Sequence, residues 1–259
     1  DIFFLPRIQP IELVKPFFII VLSLLLTFYK LKNFTLKFIL TLILTLIISF
    51  FLIIQPDLGQ TLLIAFTWVV LIFISGVNLI FLSAISVIGL SLLLYFIFYV
   101  AKFEYIKSRI LSFFDSETGT HNFQSDKALD SITSGGFFGK GIGEGTLKNK
   151  VPEAHTDYII SVISEEFGVI VIILILILFL VFIFSIFKKV NIEKDHKTKL
   201  ILVGSASLIL IQAMIHIGVN IRLFPTTGMT LPFLSYGGSS IISTSLMSGI
   251  ILNLTKRKI

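Results

Sequence analysis

Cysteine is absent from the 259 residues, which excludes disulfides and any cysteine-ligated metal and leaves the redox compartment without a marker. Charge is scarce too: 14% of residues are charged, against roughly 25% in a soluble globular domain. With 55% hydrophobic residues and a mean hydropathy of +1.00, that scarcity identifies an integral membrane protein. No internal repeat is visible, which argues against the paired halves common in transporters. No basic n-region precedes the first apolar run, so the chain carries no signal-peptide pattern. A start at Asp1 rather than Met leads us to expect the later part of a longer protein. The net charge of +6 does not imply nucleic-acid binding, because the basic residues gather in loops flanking apolar runs.

What is abundant is apolar sequence. Runs over about 13–29, 38–54, 60–74, 79–100, 158–187, 200–218 and 241–254 come close to or exceed the roughly 20 residues that cross a bilayer. They predict an all-α polytopic bundle of about seven membrane helices with a large hydrophilic loop at 102–157. Basic loops at 30–37 and 188–199 and the basic tail fall on one side, cytoplasmic by the positive-inside rule. Residues 1–12, 55–59, 102–157 and 220–240 then fall outside.

The longest polar passage, Ser134–Gly168, holds glycines at 135, 136, 139, 141, 143 and 145. It fails the Walker pattern, since Gly139-Lys140 is followed by Gly141 and no strand precedes it. A flexible loop whose main-chain N–H groups and lysines (Lys140, Lys148, Lys150) meet a lipid-linked pyrophosphate fits the pattern better. Glu153, His155 and Asp157 supply groups able to move a proton. If a helix starts at Asp157, its dipole favours the carboxylate; this describes an ionised base and a plain N-cap equally well. Glu165 and Glu166 point to opposite faces of the same run, so at least one must be buried against protein or water. No two-His spacing supports a metal site.

Two further charged positions have structural and functional readings of equal form. Glu12 and Lys15, three apart, share one helix face, as a cavity wall or as an interfacial ion pair. Asp57 in Pro56-Asp57-Leu58-Gly59 caps the next helix or contributes to binding. The segments 225–233 and 235–240 are irregular, and irregular backbone at membrane depth is tolerated only in protein or beside a wet cavity. Their small hydroxyls suit a sugar or phosphate; close helix packing is the alternative.

Taken in order, Gln9-Pro10…Glu12…Lys15, Pro56-Asp57-Leu58-Gly59, Ser134-Gly135-Gly136, Pro152-Glu153-Ala154-His155-Thr156-Asp157, Glu165-Glu166-Phe167-Gly168 and Thr230-Leu231-Pro232…Ser235-Tyr236-Gly237-Gly238-Ser239-Ser240 resemble the SEDS family of bacterial cell-wall proteins. Details such as Gly141-Ile142-Gly143 with Lys148 look more like FtsW than RodA. Ile11, where the family usually has Ser, and Tyr158, where it has Phe, depart from the pattern. The resemblance implies ten membrane helices, of which the seven here would be the fourth to tenth of a single domain. It implies a multi-pass protein of the bacterial cytoplasmic membrane at the division septum, polymerising lipid II into peptidoglycan glycan strands and releasing undecaprenyl pyrophosphate. Asp157 would be the essential carboxylate. Lys140, Lys148 and Arg222 would contact phosphate, with Glu153, His155, Ser235 and Ser239 in the substrate site. The implied partner is an FtsI-like class B penicillin-binding protein, with other divisome proteins. No organic cofactor is implied, and a divalent metal is left open. A lipid II flippase, a RodA-type elongation polymerase and a divisome scaffold are the competing readings.

Overall fold

The computed structural model describes residues 9–29, 33–114, 120–147 and 150–256, with side chains from 123 onward in the third stretch. Among the described residues ten α-helices follow in order: α1 Pro10–Thr27, α2 Phe34–Ile54, α3 Leu58–Ile74, α4 Leu79–Tyr99, α5 Glu104–Phe114, α6 Thr120–Gly135, α7 Ile159–Phe167, α8 Val169–Ile192, α9 His196–Asn220 and α10 Gly238–Thr255. Among the described residues there is no β-strand. By length and composition α1, α2, α4, α8, α9 and α10 can cross a membrane, and α3, with 17 residues, falls just short. The predicted polytopic helical architecture is therefore present.

Two of the expectations need correction. The hydrophilic passage at 102–157 is not one loop: it contains α5 and α6. The apolar run at 158–187 is not one helix, because it breaks at Gly168 into the short α7 and the long α8. Gly168 has φ +79° and ψ 175°, a conformation an L side chain rarely takes. A Cβ there would also lie 2.2 Å from the Phe137 carbonyl oxygen.

The chain forms two compact units. The first comprises residues 1–91, 183–211 and 237–259, the second 92–182 and 212–236. In the first, α1 packs against α2, α3 and α10, burying Phe18, Leu22, Ile64, Trp68 and Leu71. Gly204 of α9 brings that backbone close to α1 and α3, since a Cβ would meet Ile19 at 2.8 Å and Leu71 at 3.1 Å; small residues permit such approach between membrane helices. Asp57 does cap α3, its Oδ1 accepting from the Gln60 N–H at 3.0 Å. Lys15 and Glu12, both buried, form an ion pair at 2.6 Å, and Gln60 Nε2 donates to the same Glu12 oxygen at 2.9 Å. Here the two charges are buried, paired and hydrogen-bonded, as a charge at membrane depth requires.

In the second unit α6 packs along α7 and against α5. One core collects Ala128, Val151, Ala154, Tyr158 and Val219, and another collects Ile160, Ala213 and Leu231. Together these cores fix the turn before α7 and the segment after α9.

Candidate functional site

The second unit places a carboxylate at each end of α7. At the C-terminal end Glu165 is fully buried. Its Oε1 accepts from Lys140 Nζ at 3.2 Å and from the Leu147 N–H at 3.0 Å, and its Oε2 from Ser131 Oγ at 3.0 Å. Glu166, half-buried, accepts from the Gly143 N–H at 3.2 Å. The Lys140 and Gly141 N–H groups donate to the carbonyls of Glu165 and Glu166 at 2.9 and 3.0 Å. Two main-chain N–H groups of the glycine loop thus close on α7. Gly139 shows why glycine is needed: with φ +77°, its Cβ would stand 2.2 Å from the Glu166 carbonyl oxygen. Lys148 lies outside the described residues.

At the N-terminal end, of the two readings left open for Asp157, the plain N-cap is not the one seen. The N-cap of α7 is Tyr158, with no side-chain capping bond, so Asp157 precedes the helix. The Glu153 carbonyl, on a residue with φ +54°, accepts from the N–H groups of Thr156, Asp157 and Tyr158 at 3.1, 3.1 and 3.3 Å. This tight turn uses the Asp157 main chain and takes the residue out of the capping position. Glu153 and His155 are exposed and shape the turn through their carbonyls; that of His155 accepts from the Tyr236 N–H at 2.9 Å.

The segment after α9 folds against this turn. Ser235 Oγ donates to the Thr156 carbonyl at 2.6 Å and accepts from the Leu231 N–H at 2.8 Å. Gly228 lies beside the Asp157 carboxylate, where a Cβ would be 3.6 Å from Oδ2. Asp157 itself is half-buried. Beside it, burial and then the Asp157 charge push the Tyr158 phenol well above its usual range, so Tyr158 stays a neutral wall. Arg222, in a left-handed conformation at φ +59°, pairs with Asp126 at 2.6 Å. The structure therefore brings Asp157, Glu153, His155 and Ser235 together. Lys140 belongs with Glu165 at the other end of α7, and Ser239 is buried in α10 within the first unit.

Four residues at this site escaped the sequence reading. Gln212, His216 and Asn220 recur every four residues in the otherwise apolar second half of α9, from Leu208 onward, a spacing that places them on one face; that signal was legible. Gln212 Nε2 donates to the Thr230 carbonyl at 3.0 Å, His216 Nδ1 meets the Met229 carbonyl at 2.7 Å, and Asn220 Nδ2 donates to the Asp157 carbonyl at 3.0 Å. Arg109 of α5 lies over the Tyr105 ring and reaches the Thr226 carbonyl at 3.4 Å, a long-range contact without a sequence signal.

A multi-pass helical membrane protein with a half-buried aspartate between a glutamate-centred turn and an irregular Pro/Gly/Ser segment defines a narrow class. Residues 3–259 match the FtsW/RodA/SpoVE family, described as cell cycle protein, and the chain belongs to that family. It is 33% identical over 254 residues to "Probable peptidoglycan glycosyltransferase FtsW" of Caulobacter vibrioides (strain NA1000 / CB15N), covering 97% of this chain and 63% of that protein. A protein of the same description from Geobacter metallireducens (strain ATCC 53774 / DSM 7210 / GS-15) is 34% identical over 257 residues, covering 97% and 68%. Among solved structures, a chain from "Structural coordination of polymerization and crosslinking by a peptidoglycan synthase complex" superposes with TM-score 0.77 at 27% identity, covering 98% of this chain and 72% of that one. Rod shape determining protein RodA of Thermus thermophilus follows with TM-score 0.63 at 27% identity, covering 95% and 65%. The chain spans a little under two thirds of the Caulobacter relative's length.

Proposed function

We propose that this chain carries the catalytic carboxylate of a peptidoglycan glycosyltransferase. On this reading Asp157 removes the proton from the 4-hydroxyl of the acceptor sugar. The resulting oxygen attacks the anomeric carbon of lipid II, a glycosidic C–O bond forms, and the C–O bond to pyrophosphate breaks. Undecaprenyl pyrophosphate leaves with the electron pair. The observation that carries the reading is the construction around Asp157: a half-buried carboxylate outside the capping position, on a turn pinned through its main chain, with Gly228 bringing a second segment alongside. A general base needs that combination of fixed position and access. Arg222 and Lys140, each already paired with a carboxylate, are the described cations offered for the pyrophosphate, and Lys148 is a third candidate.

Similarity to proteins named as peptidoglycan glycosyltransferases supports the same chemistry, and likeness to the synthase complex supports a cross-linking partner, which we assign to an FtsI-like class B penicillin-binding protein. The basic loops flanking the spans support placing Asp157 on the extracytoplasmic face, and similarity to FtsW supports the division septum. The test is polymerisation of purified lipid II by the full-length protein with its partner. Asp157→Ala and Asp157→Asn are expected to lower turnover about 10²–10⁴-fold, the usual contribution of a general base, while the proteins remain folded. Undiminished polymer from both variants would remove Asp157 from the chemistry. Lipid II translocation without any polymer from wild type would replace the reading with a flippase.

A further inference from the structure

The three amide and imidazole groups of α9 all do one thing: they hold main-chain carbonyls of irregular backbone. Gln212, His216 and Asn220 are buried and one helical turn apart, about 6 Å of rise between each. Their acceptors are the carbonyls of Thr230, Met229 and Asp157. A carbonyl only accepts, so the His216 nitrogen facing Met229, Nδ1, carries the hydrogen. Asn220 Nδ2 also donates to the His216 carbonyl at 2.9 Å. Both amide hydrogens are thereby committed, which fixes the orientation of that side chain. One face of one helix thus sets the height of the Asp157 turn and of the 229–230 backbone, and residue 228 lies directly beside the Asp157 carboxylate.

We propose that Asn220 and His216 are positioning residues for Asp157, with Gln212 extending the same register, so that the stripe acts as a ruler locating the carboxylate between two otherwise irregular segments. The proposal rests on the glycosyltransferase reading above. The bonds given above run from the stripe to main-chain carbonyls, so its effect passes through the backbone. Displacing a reactive group by about 1 Å costs on the order of 100-fold in rate. A ruler should therefore govern turnover and leave substrate capture nearly untouched.

The experiment measures kcat and KM for lipid II with the full-length protein and its partner, normalised to protein that unfolds cooperatively. Asn220→Asp is nearly isosteric but cannot donate, and is expected to lower kcat about 10–100-fold with KM within about threefold. His216→Leu should act in the same direction, whereas His216→Asn, whose amide nitrogen takes the place of Nδ1, should recover most of the loss. Turnover within about twofold of wild type for both Asn220→Asp and His216→Leu overturns the proposal, as does a rise in KM at unchanged kcat, or no recovery in His216→Asn. If Asn220→Asp does not fold, the two His216 variants decide the matter. Asp157→Ala, run alongside, separates the two readings. Activity surviving Asp157→Ala removes the base, while inactivity there with normal Asn220→Asp turnover removes only the ruler.

Discussion

The two ends of α7 treat a carboxylate in opposite ways. Glu165 is shut away with a lysine, a hydroxyl and a backbone amide on its oxygens, and the loop 136–147 closes over it. Asp157 is fixed through its N–H and its carbonyl, while its side chain stays half-exposed beside Gly228. A buried carboxylate whose oxygens are occupied holds structure together. One that is located by its own main chain, with a half-exposed side chain, can still be reached from outside. Sequence places both acids in one polar passage, and only their partners tell them apart.

Stability measurements can break that contrast. Glu165→Ala would take the shared acceptor from the Leu147 N–H and Lys140 and leave Ser131 only the Ser161 carbonyl, so we expect a loss of about 3 kcal/mol, the lower end for breaking a buried pair because Lys140 is 36% exposed. The thermal midpoint in detergent micelles would report it, and an unchanged midpoint would show that the clasp is not structural. Gly168→Ala forces a side chain into a left-handed backbone and onto the Phe137 carbonyl, costing about 1–3 kcal/mol; proteolysis within 136–147 should become faster. The smallest effect belongs to the other end. Asp157→Asn, which keeps the main-chain bonds and nearly the same shape at a half-buried position, should shift stability by less than about 1 kcal/mol, the small end of the range for point substitutions. A larger loss would make Asp157 a structural residue like Glu165 and end the contrast.

Much of this was legible in the amino-acid order. Apolar runs located the membrane helices because their signal is local and long, and the Asp57 cap followed from its position before Leu58. The break at Gly168 was not legible. A single glycine inside an apolar run is a weak signal, and what makes it a break is a loop some thirty residues upstream. Asp157 was readable as a special carboxylate, but its placement outside the cap depends on the Glu153 turn, whose positive φ no residue preference announces. The stripe at 212, 216 and 220 had the right spacing to be noticed. Its acceptors, at 157, 229 and 230, are known only once the chain has folded.

The joint at Gly168 also bears on how the protein is made. The first N–H groups of a helix have no partner within it, and those of Val169 and Ile170 are taken by the carbonyls of Gly136 and Phe137. In hydrocarbon such groups must find partners inside the protein. Synthesis delivers the glycine loop first and α8 afterwards, so the loop must already have reached its final side of the bilayer when α8 settles. The order of residues along the chain is thus also an order of assembly, in which the glycine loop waits to receive the helix that follows it.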